Sequence, residues 1–340
     1  MTSERTVTRF VPTADQYAWT FGGYDPVLRV RPGDILDLYT EDAFAGNIRT
    51  GDDLASRSIQ YPYINPQTGP FFVEGAEVGD TLAIHLIDVQ PARDWAVSTT
   101  VPLFGALTST KFTPTLQPPL AERTWVYAVD RTAGVVTYRA VDTEHHVDLP
   151  LEPFLGTIGV APAAGEARNV LVPEAFGGNM DTPEARAGTT IYLGVNVDGG
   201  LFSIGDGHYT MGEGEVCGVA VEGAMDTLLT VDVIKGMYCE WPRLEDDEFI
   251  MVAGSYRPLE DAFRIAHTQL IRWIADSTGL SILDAYQLVT QGSRSPIANV
   301  CDANYTIVAK MPKRYLPEVD WMGGAHRRLR AVAPSGRPMA

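Results

Sequence analysis

Ionisable side chains are concentrated in one glycine-rich segment, residues 174–222. Three glycine-flanked turns carry an amide with a carboxylate, a carboxylate with an imidazole, and two carboxylates. In chain order these side chains are Asn179 and Asp181, Asp206 and His208, and Glu213 and Glu215. A further carboxylate, Glu222, follows in a predicted strand. Because flanking glycines let the backbone approach a ligand closely, the pattern indicates a binding or catalytic site. A solvated hairpin without a ligand is the alternative.

Carboxylates and an imidazole at this density are suitable ligands for a divalent metal ion. We expect Asp181, Asp206 and His208 to hold such an ion, whose bound water would become a nucleophile near neutral pH. Glu213 or Glu215 would then take the proton and pass it to a leaving amine. Glu215 is the best candidate for the base. Glu213, two residues earlier, faces the same side in a regular strand, and Glu222 is the third catalytic candidate.

Alternating apolar and polar residues predict a β-rich body over residues 1–240, which carries the polar segment. The clearest examples are residues 27–40 and 79–90, both bounded by glycine, proline or aspartate. This pattern predicts a mainly β protein.

The pattern changes to a helical spacing over residues 259–278, with Gly279 as a stop signal. Ser281 begins a second predicted helix, with Asp284 three residues later in a capping arrangement. We therefore expect residues 241–317 to form a two-helix hairpin and a returning strand packed on the body. The basic residues 318–340 are predicted to be a mobile tail.

Composition excludes several classes of partner. The chain has 26 basic and 43 acidic residues, a net charge of −17, which disfavours nucleic acids and anionic membrane surfaces. No apolar run approaches the roughly 20 residues that span a bilayer, and the first residues lack an apolar signal core. Three widely spaced cysteines, Cys217, Cys239 and Cys301, do not make a disulfide framework. We expect a cytoplasmic protein.

Several long strings, in order, resemble the acetamidase/formamidase family. They span residues 30–48, 65–95, 153–163, 177–227, 261–288 and 299–316. The resemblance implies hydrolysis of a short-chain amide to carboxylate and ammonia. It also implies a jelly-roll-like β-sandwich with an added α/β portion, a homodimer or larger homo-oligomer, and a divalent metal, zinc or calcium.

The family's polar site falls on the residues of segment 174–222 and on Glu41 and Asp42. Within it, we expect Asn179 and Asp42 to bind the substrate, because Asn179 and glycine N–H groups can donate to the amide oxygen. Some relatives carry histidines where this chain has Phe176 and Tyr24. Their absence here favours a carboxylate-rich site for a hard cation, or a site without a tightly held metal.

Two other functions stay open. One is a covalent amidase in which Cys217 is the nucleophile. The other is a β-sandwich protein that binds a small polar ligand and has no catalytic activity.

Overall fold

The computed structural model describes residues 7–107 and 120–332, and these form a mainly β protein, as predicted. The strands of the described residues are, in chain order, β1 (Val7–Phe10), β2 (Tyr17–Ala18), β3 (Thr20–Phe21), β4 (Leu28–Val30), β5 (Ile35–Thr40), β6 (Gln67–Val73), β7 (Thr81–Pro91), β8 (Trp95–Thr100), β9 (Arg123–Asp130), β10 (Val135–Arg139), β11 (His146–Pro150), β12 (Phe154–Gly159), β13 (Arg168–Asn169), β14 (Gly177–Asn179), β15 (Thr190–Gly194), β16 (Phe202–His208), β17 (Met225–Ile234), β18 (Arg243–Glu245), β19 (Phe249–Tyr256), β20 (Ile297–Asn299) and β21 (Tyr305–Pro312). The α-helices are α1 (Ala55–Ser58), α2 (Leu259–Thr278), α3 (Ile282–Gly292) and α4 (Ala325–Val332). Short 3₁₀ turns lie at Ala14–Gln16, Ala163–Gly165, Lys313–Tyr315 and Trp321–Gly324.

The largest sheet has nine strands in the order β1-β5-β17-β7-β15-β18-β19-β21-β20. Only its edge pair, β1 with β5, is parallel among the described strands. Side chains alternate between its two faces, as the strand period requires. In β7, Leu82, Ile84 and Leu86 enter the main core, whereas Ala83 packs with the helices on the opposite face. Both faces of this sheet are therefore covered.

A second layer packs on the core face of the large sheet. It contains a six-stranded sheet, β14-β12-β16-β6-β2 with β4 beside β6, and a four-stranded sheet, β11-β10-β9-β8. Phe71 of β6 and Phe202 of β16 meet with ring centroids 5.0 Å apart inside the shared core. A short pair, β13 with β3, completes the β structure of the described residues.

Three helices cover the other face of the nine-stranded sheet. α2 packs on β19 and β21, and it ends where predicted, because Gly279 adopts the left-handed conformation and its N–H bonds the Ala275 carbonyl. α3 begins at the predicted cap, where the Ser281 hydroxyl accepts the Asp284 N–H. The returning strand is β21. Two consecutive helices and a following strand are thus present within residues 241–317.

The expected mobile tail is wrong for residues 318–332. Trp321–Gly324 forms a 3₁₀ turn and α4 follows it, packed on β7 and β17. Apolar residues of this segment, such as Trp321, Ala325 and Leu329, are buried in the helix-side core, while its arginines face outward. The prediction failed because the segment was judged by its basic composition, although its apolar residues are spaced as in an amphipathic helix. The expectation for residues 333–340 lies outside the described residues.

Residue 240 is not a structural boundary in the part of the chain described here. β18, β19, β20 and β21 extend the same sheet that β5, β7 and β17 begin. None of the helices in residues 7–107 and 120–332 has the length and apolar character needed to cross a membrane.

Candidate active site

Three neighbouring strands bring the predicted polar residues together. Thr157 of β12 lies opposite Asn179 of β14, and β16 pairs with the other side of β12. Asp206 and His208 are two residues apart in β16, and Asp181 is the second residue after the end of β14. The segments that carry these side chains are adjacent in the fold because β12 stands between β14 and β16.

Gly156 of β12 provides the space in which these side chains meet. A β-carbon there would lie 2.6 Å from Asp181 Oδ1, 2.6 Å from Asp206 Oδ2 and 2.9 Å from His208 Cε1. These separations are shorter than a carbon atom tolerates, so any other residue at position 156 would displace the cluster.

Two glutamates reach the cluster from other parts of the chain. The backbone of Glu222 exchanges hydrogen bonds with Val97 of β8 at 2.8 and 3.0 Å, and it also bridges to His208. Glu215 lies in a turn whose preceding glycine pairs with Asn299 at the end of β20. The site is thus assembled from the β12–β16 sheet, β8 and β20.

His208 is at the centre of the cluster. Its Nε2 lies 3.2 Å from Glu222 Oε1, 3.5 Å from Asp206 Oδ1 and 3.9 Å from Asp181 Oδ1. Among the described residues, two groups could hold a metal ion, one with Asp181 and Asp206 and the other with Glu215 and Glu222, and His208 is common to both. Within each group the ligand atoms lie within 4.8 Å of one another. For comparison, two ligand atoms on a tetrahedral zinc ion are about 3.4 Å apart.

Three cluster residues have left-handed backbone conformations. The φ angles of Asp181, Asp206 and Glu215 are 48°, 59° and 45°. Such a conformation costs on the order of 1–3 kcal/mol for a residue with a side chain, and it persists where the surrounding structure enforces it. The strain is typical of a functional site.

The carboxyl groups in the cluster are buried together, and burial is the largest influence on the pKa of each. Burial raises the pKa of Glu215 to about 8, and that of Glu222 and Asp302 to about 7. Burial and the neighbouring carboxylates also raise the pKa of Asp181 well above its usual value. These acids are held in a site whose negative charge is incompletely compensated.

The pKa shifts of His208 and Asp206 favour the charged form of each group, whereas those of the other carboxyl groups favour the neutral form. Burial opposes the charged form of His208, but Glu222 and Asp206 outweigh it and raise the His208 pKa well above the usual value. Burial likewise opposes ionisation of Asp206, yet the facing His208 lowers the Asp206 pKa below its usual value. The cluster thus stabilises the protonated, positively charged form of His208 among several carboxyl groups.

Three buried atoms of the cluster have no hydrogen-bond partner within the described residues. They are Asp181 Oδ1, His208 Nδ1 and Glu222 Oε2. Buried polar atoms are almost always satisfied in folded proteins, so three unpaired atoms within one cluster indicate a site that binds a ligand. Carboxylate oxygens and one imidazole nitrogen form a donor set that fits a divalent cation.

Asn179 occupies a central position in a hydrogen-bond network behind the cluster. Its amide nitrogen donates to Asp181 Oδ2 at 3.0 Å and to Asp302 Oδ2 at 2.7 Å. Its oxygen accepts from Asn65 Nδ2 at 2.9 Å and from the Thr157 hydroxyl. Both amide hydrogens of Asn179, the residue predicted to bind the substrate, are therefore engaged by carboxylates, and Asn179 also lines the cavity.

Sequence reasoning missed three members of this network, Asn65, Thr157 and Asp302. Asn65 and Asp302 both line the cavity next to the cluster. All three lie inside or beside strings that carried the resemblance, so those strings were the available signal. Neither metal-ligand spacing nor a glycine-flanked turn distinguished them.

Two predicted residues lie apart from the cluster. Glu213 is exposed, because the segment is a turn with Glu215 at positive φ and the two side chains diverge. The expectation of a shared strand face is wrong here. Asp42 is buried and forms a salt bridge with Arg93, and it is not among the residues that line the cavity. Phe176 packs on Phe21 in the core.

The two cysteines near the site differ in their environments. Cys217 is exposed and its thiol donates to the Val219 carbonyl at 3.2 Å, and partial burial raises its pKa above the usual value. Cys301 is buried, and its thiol donates to Glu215 Oε2 at 3.2 Å. Burial and the Glu215 carboxylate raise the Cys301 pKa, so both thiols are held in the protonated form.

A cavity of about 670 Å³ opens onto the cluster. His208, Asp206, Glu215 and Glu222 are among the residues that line it. Apolar side chains from the α1 region and neighbouring loops line it as well. The fold and site together define a β-rich protein with a buried carboxylate–histidine centre beside a cavity of the size that holds small-molecule ligands.

Comparison with known proteins gives consistent matches. The model of the Acetamidase/Formamidase family matches residues 22–166 and 163–250. An acetamidase structure from Yersinia enterocolitica superposes with a TM-score of 0.86 at 37% identity, covering 93% of this chain and 95% of that one. An acetamidase structure from Bacillus halodurans gives a TM-score of 0.79 at 30% identity, covering 90% and 98%.

A curated relative, the formamidase of Methylophilus methylotrophus, is 26% identical over 254 residues. The match covers 62% of this chain and 61% of the formamidase, so the chain spans about three fifths of the length of that relative. The chain belongs to the acetamidase/formamidase family.

Proposed function

We propose that this protein hydrolyses a primary amide to a carboxylate and ammonia at the His208 cluster, with a divalent cation as cofactor. The observation that carries the proposal is a buried cluster beside a cavity, in which Asp181, His208 and Glu222 each have one polar atom without a hydrogen-bond partner among the described residues. The names of the relatives, formamidase and acetamidase, support the reaction.

Asp181, Asp206 and His208 would hold the cation, with Glu222 next to them. The imidazole nitrogen in this donor set favours zinc over calcium, which takes oxygen ligands almost exclusively. When bound, such an ion polarises the amide carbonyl and lowers the pKa of a water molecule. A cation also compensates the excess of buried carboxylates.

Glu215 is the proposed proton carrier. It lines the cavity beside His208, and burial raises its pKa to about 8. A carboxylate with a pKa near the working pH can take a proton from water and return it to the departing nitrogen. The Cys301 thiol holds one of its oxygens, Oε2, and leaves Oε1 for that exchange.

The first experiment measures ammonia release from formamide, acetamide and propionamide before and after removal of bound metal. We expect release to be lost on chelation and restored by zinc more than by calcium. Release that survives complete stripping would move the mechanism to Cys217 or to a carboxylate acting without a metal. If none of the three amides released ammonia, the result would favour a protein that binds a small ligand without catalysing a reaction.

A matched pair of variants tests the base. Glu215→Gln should lower kcat by about 10²–10⁴-fold, the usual contribution of a positioned acid–base group. Glu213→Gln makes the same chemical change two residues away on an exposed side chain, and it should keep turnover within about twofold. Equal losses in the two variants, or a loss only in Glu213→Gln, would reject Glu215 as the base.

A further inference from the structure

The cavity is much larger than the smallest amides require. Formamide and acetamide have three and four heavy atoms, whereas cavities of about 300–1,000 Å³ hold ligands of drug size. The cavity beside His208 measures about 670 Å³. A substrate as small as acetamide would touch the polar end and leave most of this volume to water.

Much of the cavity lining is apolar. The apolar walls come from the segment between β5 and β6, from the loop after β8, from the segment after β13 and from the segment between β16 and β17. The side chains that carry the argument are Phe44, Ile59, Val101, Phe104, Leu171 and Val219. Phe44 is buried, and the other five are partly buried with surface turned to the cavity. The polar groups of the His208 cluster and apolar walls within one cavity fit an amphipathic ligand.

A separate hydrophobic cluster supports this wall. Phe44, Ile48, Ala55 and Val97 are buried together, and Ile59, Val101 and Val219 pack against them. The ring of Phe104 lies over Gly218, where a β-carbon would come within 2.2 Å of it. The apolar side chains of the wall therefore pack against other side chains of the protein, so an apolar ligand would meet a preformed surface.

We propose that the preferred substrate is a primary amide with an apolar acyl chain of several carbons. The carboxamide would lie at the His208 cluster and the chain would lie along the wall that contains Ile59, Val101 and Val219. This inference rests on the proposed function and specifies its substrate class. Each methylene that leaves water for such a wall should raise kcat/KM about three- to fourfold.

The test measures kcat/KM by ammonia release for acetamide, propionamide, butyramide and hexanamide. We expect the value for hexanamide to exceed that for acetamide by about 10²-fold, with a similar gain for each of the four added methylenes. The double variant Val101→Thr/Val219→Thr keeps the shape of the wall and makes it polar. It should lower the hexanamide-to-acetamide ratio about tenfold.

Val147→Thr is the matched control, because Val147 lies exposed in β11 and does not line the cavity. It should leave the ratio unchanged. Turnover of acetamide with a ratio near one, or a high ratio that the double variant does not change, would overturn the acyl-chain inference and keep the proposed function. Absence of ammonia release from all four amides would reject the proposed function, and the inference with it.

Discussion

Two buried histidine clusters in this protein have opposite characters. His208 faces several carboxylates within the β12–β16 sheet, and its Nδ1 has no partner among the described residues. His85 of β7 and His326 of α4 form the other cluster, with ring centroids 5.6 Å apart. The Thr190 hydroxyl bridges their Nδ1 atoms at 2.9 and 2.8 Å.

The difference separates a site from a structural contact. At His208 the carboxylates outweigh burial and raise the pKa, so the cluster favours a cation. At His85 burial comes first and, with the neighbouring His326, lowers the pKa to about 4, so the ring stays neutral. Satisfied neutral histidines hold α4 on the sheet, whereas strained residues with unpaired atoms surround His208.

The largest expected effect comes from exchanging each histidine for glutamine. His208→Gln removes the nitrogen common to both candidate metal groups. Its loss should cost more than the ~10²-fold that follows from losing an outer partner of a metal ligand. We therefore expect ammonia release to fall by more than about 10²-fold, together with the bound metal measured by elemental analysis.

His326→Gln is the matched control for this exchange. It should keep metal content and turnover at neutral pH, and it should lower the free energy of unfolding by about 1–3 kcal/mol through a lost buried hydrogen bond. If His326→Gln released the metal, or if His208→Gln kept both metal and turnover, the distinction between the two clusters would be invalid.

Acid should destabilise the protein through the His85 cluster. The pKa of His85 is about 4 in the folded protein and about 6.5 in an unfolded chain, so the unfolded state takes up the proton first. Stability from the neutral ring is complete above pH 6.5 and is lost as the pH falls towards 4. The loss amounts to about 3 kcal/mol. His326, whose pKa is also lowered by burial, acts in the same direction.

Urea unfolding at pH 7 and pH 4 measures this effect against a His85→Gln variant, so that the pH dependence of the carboxylate site cancels. The excess stability of the unaltered protein should shrink by about 3 kcal/mol between the two pH values. A difference that stays constant with pH would show that His85 is already protonated in the folded protein or remains exposed to water.

Gly156→Ala tests whether the space between the three candidate ligands matters. The added carbon would meet Asp181 and Asp206 oxygens at 2.6 Å, so we expect metal content and kcat to fall and stability to drop by about 1–3 kcal/mol. Gly212→Ala is the control, because a β-carbon at Gly212 meets nothing within 4 Å. Full metal loading and turnover in Gly156→Ala would mean that the cluster rearranges freely.

The sequence predicted the elements whose signals are local. Periodicity located α2, the Ser281 cap located α3, and alternation located β5 and β7. Glycine-flanked turns located Asp181, Asp206, His208 and Glu215, which the structure brings together. A glycine on each side of an ionisable residue is a short-range pattern, and it can be read without knowing the fold.

Signals that depend on tertiary contacts could not be read in the same way. Asp302 joins the site from a loop more than 120 residues beyond Asn179, with which it shares a 2.7 Å hydrogen bond. Glu213 and Glu215 have the same side chain and a similar sequence setting, and only the positive φ of Glu215 separates the buried one from the exposed one. α4 was missed because its arginines dominate the composition while its buried face is short.

The smallest expected effect compares the buried cysteines of the two regions. Cys301 donates to Glu215 Oε2 at 3.2 Å, whereas Cys239 lies in the helix-side core, where its N–H bonds the Thr81 hydroxyl. Cys301→Ala should lower kcat about five- to tenfold with little change in KM, because Glu215 loses one hydrogen bond that orients it. Cys301→Ser should restore most of kcat, since a hydroxyl donates as well as a thiol.

Cys239→Ala makes the same truncation in the other region, and it should lower the free energy of unfolding while keeping kcat. The serine variant is the decisive measurement, because a purely structural role for Cys301 predicts that a buried hydroxyl is no better than alanine. If serine failed to recover kcat, or if the loss appeared in KM, Cys301 would be a packing residue like Cys239. Recovery with serine would extend the contrast between the two regions from their histidines to their thiols.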